Sequence, residues 1–259
     1  MKKPTFLFLI ITLLFSISCQ TLLAPTSQRD GTVISACAEI VSDVRTLQAV
    51  DIPDALIDTG IKQGDEFDVN TYFDVLPHLS MQEGYALDYV YPVDFLGSFP
   101  SLLARPADVP PYTSSEDIPE DQGLADYWKF IEVEDVEQGY FEYVAFLIMA
   151  EQFYLVWHAN YNDTEIVCDH AALEEIVADV NSGDFGMEFN LEQRTKIRAM
   201  TNIEPLVKLD GNTALVEIIV FTKWGGFSRL TYTIDRSFPH EIIDVQEENI
   251  VPYDCGVMF

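Results

Sequence analysis

The densest gathering of chemistry-bearing residues runs from Trp157-His158-Ala159-Asn160-Tyr161-Asn162-Asp163 into Cys168-Asp169-His170. Two of the chain's four histidines fall in this stretch. Imidazole, thiolate and carboxylate are the ligands of transition metals, and a thiolate beside an imidazole is also a nucleophile. His158, Cys168, Asp169 and His170 are therefore candidate ligands for a divalent metal. His158, Asp163, Cys168 and His170 are candidate catalytic residues. The Cys-x-His spacing matches no common zinc framework. A structural reading competes with the chemical one: Asn and Asp form turns, Asp169 caps a helix, and Cys168 sits in the core.

Other motifs are fainter. Asn160 to Glu165 alternates oxygen-bearing side chains in the manner of a calcium loop, without the glycine that an EF-hand turn requires. His240-Glu241 opens H-E-I-I-D, which lacks the second histidine of a zincin helix. The sequence contains no G-x-G-x-x-G, no Walker-type phosphate loop and no G-x-S-x-G elbow. A glycosidase needs only two well-placed carboxylates, but among 43 acidic residues no pair stands out. Trp224-Gly225-Gly226-Phe227 is either a loop for carbohydrate-like or peptide-like contact, or a hairpin turn with its aromatics on the sheet.

The elements that must position these residues are read from periodicity. Val33 to Val50 has apolar residues at the i, i+3, i+4, i+7 spacing of an amphipathic helix. Pro53 to Ile57 reads as a short helical turn ended near Gly60, and Asn70 to Leu76 as another with Asn70 as its N-cap. Tyr85 to Tyr91 reads as a strand. Gly139 to Met149 and Phe153 to His158 are aromatic and β-branched and predict a hairpin, with a single amphipathic or buried helix as the rival. Ile166 to Cys168 predicts a brief strand, and Asp169 the cap of a helix over His170 to Val180 stopped at Asn181-Ser182-Gly183. Leu191 to Met200 predicts a further helix. Pro205 to Leu209, Asp210-Gly211-Asn212 and Ala214 to Phe221 form strand, turn and strand. Phe227 to Ile234 and Glu241 to Val245 add strands. The fold class expected is α+β, a C-terminal antiparallel β-meander with helices packed on one face.

The N-terminus addresses the chain. Met1-Lys2-Lys3 precedes an uncharged run from Phe6 to Ile17, too short for the ~20 residues of a membrane span. Ser16-Ile17-Ser18-Cys19 follows. This arrangement resembles the signal peptide and lipobox of bacterial lipoproteins, with Ser16 where that class usually has an aliphatic residue. The resemblance covers the first twenty or so residues and implies cleavage before Cys19 and lipid attachment to Cys19. It also implies export and anchoring in the membrane at its extracytoplasmic face. Residues 1–18 are then a signal peptide and 19–32 the lipidated Cys and a flexible tether. Residues 33–259 form one domain, with a Pro-rich acidic loop at 105–123 where a subdomain boundary would fall.

The chain has 259 residues, 48% of them hydrophobic, a globular composition. With 14 Lys+Arg against 43 Asp+Glu its formal charge is −29, which excludes phosphate-neutralising nucleic-acid binders. The charge marks either a saline habitat or a face for cationic partners or divalent ions. Cys37, Cys168 and Cys255 allow one disulfide of unspecified pairing, or three buried thiols. The function expected is that of an exported lipoprotein acting as a binding or interaction module at the cell envelope, with a protein or small-molecule partner and no required cofactor. The alternative is an extracytoplasmic hydrolase or metal-dependent enzyme built on the His158–His170 cluster. The enzyme needs those side chains to converge in a cleft. The binding module needs them apart, and an exposed apolar patch elsewhere. A third reading puts a small ligand between helices and sheet.

Overall fold

The computed structural model describes residues 29–119, 126–161, 163–183 and 186–257. Cys19, the signal segment and most of the tether lie outside them. The architecture is mixed α+β, organised by an antiparallel sheet in the C-terminal half. Strands β7 (Leu206–Asp210), β8 (Thr213–Thr222), β9 (Gly226–Asp235) and β10 (Ile242–Pro252) follow one another as a meander. The Gly211-Asn212 turn and the Lys223-Trp224-Gly225 turn join them, as Asp-Gly and Gly-Gly cues predict. Two earlier strands complete the sheet. β1 (Thr32–Val33) pairs with β7, and β6 (Thr164–Val167) pairs with the end of β8 that β7 leaves free.

Alternation along β8 separates two cores. Ala214, Val216, Ile218 and Val220 face helices α1 (Cys37–Gln48) and α4 (Glu137–Met149). Ile219 and Phe221 face the other way, where α5 (His170–Val180) and α6 (Leu191–Arg198) cover Phe227 and Val251. Helices therefore lie on one face along most of the meander, and a second pair closes the opposite face at one end. They do so because β8 is apolar on both faces there, and neither face can be left in water.

Two segments differ from what the sequence predicts. Gly139 to Met149 is not half of a hairpin but α4, with nine of its thirteen residues buried. Phe153 to His158 is irregular, running into a 3-10 turn over Trp157–Tyr161. A helix buried on nearly every side loses its polar stripe, so its aromatic and β-branched residues read like a strand. The end of α4 is closed from outside: Gln48 donates to the Met149 carbonyl at 2.6 Å and the Tyr72 hydroxyl to that of Ala150 at 3.0 Å.

The N-terminal half is built from short pieces on the same core. α2 (Asp54–Thr59) ends at Gly60, whose φ of 68° is the left-handed cap expected there. A 3-10 turn over Val69–Thr71 leads into α3 (Tyr72–Val75), and its cap is Asp68, not Asn70, because the Asp68 carboxylate accepts from the Asn70 N–H. β2 (Leu79–Met81) pairs with β5 (Ile131–Val133), and β3 (Tyr85–Val90) with β4 (Ser101–Pro106). The described part of the 105–123 loop folds onto that second hairpin, where Tyr112 packs against Val90 and Leu103.

The body begins earlier than the tether reading places it. The Arg29 guanidinium donates to the carbonyls of Asn202 and Glu204 and pairs with Glu217 at 2.5 Å. Thr32–Val33 joins the sheet, so the helix expected from Val33 starts at Cys37. The open cysteine question resolves as a Cys37–Cys168 disulfide, with Cys255 buried as a free thiol.

Candidate functional site

The His158–His170 stretch is spread over three elements and does not assemble. Cys168 follows β6, and its sulfur is bonded to Cys37, so it is neither thiolate ligand nor nucleophile. Asp169 caps α5, accepting from the Ala172 N–H at 2.9 Å. His170 is exposed at the first turn of that helix. Asp163 is paired with Lys223 at 2.7 Å, and the His158 ring lies against Trp157 at 3.9 Å. Among the described residues no group of three or more His, Cys, Asp or Glu gathers as metal ligands. Residue 162 of the calcium-like run lies outside the described residues. Trp224 and Phe227 pack against the α5–α6 core, the second of the two readings of that motif.

What the structure does gather is apolar and exposed. The loop from Val93 to Phe99 carries Val93, Phe95, Leu96 and Phe99, with Phe95 80% exposed. It is not a loose loop. The Asp94 carboxylate accepts from the Leu96 N–H, the Asp94 carbonyl from the Gly97 N–H, and the Ser98 hydroxyl from the Asp94 N–H. Gly97, at φ 139°, lies so close to the 156–159 backbone that a Cβ there would stand 2.8 Å from the Val156 carbonyl oxygen. The Val156 N–H in turn donates to the Ser98 carbonyl. Trp157, 58% exposed, is thereby set beside the loop. Tyr154 and Trp157 hold left-handed backbones at φ 51° and 53°, which cost bulky residues about 1–2 kcal/mol each. Phe99, Leu155 and Ala159 also line a depression of about 220 Å3 beside Glu151. Burial pushes the Glu151 carboxyl upward, although it accepts from the Leu102 N–H at 2.8 Å.

Nearer the chain's start, a larger cavity of about 530 Å3 opens between the β3–β4 hairpin and residues 62–70. Lys62, Asp88 and Arg105 line it, each at least nine-tenths buried. Asp88 Oδ1 accepts from Lys62 Nζ at 2.6 Å and the Tyr89 N–H at 2.8 Å. Oδ2 accepts from Arg105 Nε at 3.1 Å and the Tyr112 N–H at 2.8 Å. The Lys62 ammonium also stands 4.3 Å from the centre of the Tyr89 ring. Burial pushes the Tyr89 phenol far above its ordinary range, and its hydroxyl has no hydrogen-bond partner among the described residues.

Sequence reasoning missed both regions and one buried pair. Glu142 of α4 is wholly buried and accepts from the His78 backbone N–H at 2.9 Å, while its other oxygen meets His78 Nδ1 at 2.7 Å. A glutamate inside the apolar run 139–149 is the signal that could have found it. Asp88, alone in the strand run YALDYV, is the same kind of signal.

Comparison with protein families, with curated proteins and with solved structures finds no match in any of the three. No helix among the described residues is long and apolar enough to cross a membrane.

Proposed function

We propose that this chain is an exported binding module of the bacterial cell envelope, anchored by lipid on Cys19, that docks a partner protein through the Phe95–Trp157 face. The observation that carries the reading is that face itself: five large apolar side chains held out on backbone that is hydrogen-bonded and, at Trp157, strained. Large apolar side chains exposed on neighbouring segments of backbone mark interaction sites. Strain persists where surrounding structure enforces it, and it concentrates at functional positions. The Cys37–Cys168 bond supports an oxidising, extracytoplasmic setting. A chain of charge −29 selects its partner by charge as well, so the complementary surface is apolar at its centre and basic at its rim.

The test is photo-crosslinking in intact cells from the full-length chain carrying a benzophenone side chain at position 95. The reading expects one discrete protein adduct, absent when the same group replaces Glu188. No adduct, or label recovered only in lipid, would overturn it.

A further inference from the structure

We propose that the cavity walled by Lys62, Asp88, Tyr89 and Arg105 binds a small zwitterion, a molecule carrying one carboxylate and one ammonium group, as free amino acids and short peptides do. The proposal is independent of the aromatic face. It begins with unbalanced charge: two buried cations share one buried carboxylate. Asp88 already accepts four hydrogen bonds, so its lone pairs are taken. Lys62 has three ammonium protons, and Asp88 receives one; the others have no hydrogen-bond acceptor among the described residues. Arg105 donates Nε to Asp88 and Nη1 to the Pro106 and Val109 carbonyls, which leaves Nη2 without an acceptor among those residues.

The Tyr89 hydroxyl is buried without a hydrogen-bond partner among the described residues, in a residue that lines the same cavity and is 2% exposed. Buried polar groups are normally satisfied; the Tyr89 hydroxyl is not, and with the spare donors of Lys62 and Arg105 on the same lining it points to a missing acceptor. A carboxylate supplies it, with charge-assisted bonds to both cations.

The mouth has the opposite sign. Asp68 is exposed and Glu66 half-buried, and both line the cavity. Glu66 accepts from the N–H groups of Gln63 and Gly64, and Asp68 from that of Asn70, so both are fixed in place. Two carboxylates at the entrance repel a simple anion and attract an ammonium group. A ligand positive at its outer end and negative at its inner end matches both. Phe67, Val69 and Leu87 supply apolar wall between the ends. A volume of about 530 Å3 lies within the range of small-molecule sites.

The test is isothermal titration calorimetry on the full chain in detergent. Its probes are L-alanine, L-leucine, L-phenylalanine, alanyl-alanine, sodium acetate and inorganic phosphate. At least one zwitterion is expected to bind with Kd below about 1 mM, and acetate and phosphate at least about tenfold more weakly. Whether an amino acid or the dipeptide binds tighter identifies the source of the shared chemistry. Tyr89→Phe removes only the idle hydroxyl, and Asp68→Asn keeps the turn cap while removing the charge. Each is expected to weaken binding about fivefold or more with an unchanged melting temperature. Failure of every zwitterion to give heat, equal binding of acetate or phosphate, or affinity indifferent to Tyr89→Phe would each overturn the proposal.

Discussion

Asp88 holds two cations that have no other buried counter-charge among the described residues. Asp88→Ala would strand Lys62 and Arg105 in low dielectric, and removing one partner of a buried ion group costs about 3–5 kcal/mol. Urea unfolding should register a loss of that size, and a loss under about 1 kcal/mol would mean that solvent reaches the group freely. Trp157 gives the opposite expectation. Trp157→Gly relieves a left-handed backbone at an exposed site, so the melting temperature should hold or rise while the position-95 adduct disappears. A fall of more than about 4 °C would assign the ring a structural role. Neither group of residues was legible as a site beforehand. Lys62, Asp88 and Arg105 come together only through the pairing of β3 with β4 and the return of residues 62–70. The His158–His170 stretch was legible as chemistry, but β6 and the disulfide divide it.

Among the elements, legibility followed the pattern of burial. α5 was readable to its ends because Asp169 caps it and Asn181-Ser182-Gly183 stops it. Asp169→Ala should cost about 1 kcal/mol, seen as a lower urea midpoint. The β7–β8 hairpin was readable from Asp-Gly, and β10 proved longer than its apolar start because its middle is polar and exposed. α4 was misread because burial on nearly all sides erased its period. The connection between β9 and β10 carries a pH dependence. His240 is buried; its Nε2 accepts from the Val133 N–H, and its Nδ1 faces the Asp235 carbonyl. Burial depresses its pKa, although Asp135, Asp235 and Glu132 pull the other way. The unfolded chain therefore takes up a proton first as pH falls through about 6.5. Stability contributed by neutral His240 is present above that pH and is lost below it. The urea midpoint should fall between about pH 7.5 and pH 5.5, and fall less in His240→Gln. Equal slopes for the two proteins would contradict this.

At the scale of the whole molecule, the Cys37–Cys168 bond spans a separation of 131 residues and joins the first helix to the strand beside β8. Closing so long a loop restricts the unfolded chain, and the double variant Cys37→Ala/Cys168→Ala should lose about 2–5 kcal/mol. Denaturing mass spectrometry of the untreated protein should read lighter than its reduced form by the two thiol hydrogens. Cys19→Ala should abolish palmitate labelling and move the body out of the membrane fraction. Retention of both would end the lipid-anchor proposal.

The position of that bond also fixes where the molecule can yield to force. Among the described residues, a pull from the N-terminal side would act first on Arg29 and then on the two residue pairs of β1 with β7, which can peel apart like the end of a zipper. Four residues beyond Val33 the covalent link to Cys168 is reached, and peeling stops there while the bond is oxidised. The load then passes through the bond to Cys168 at the end of β6, and a reductant would let the extension run on into α1 instead.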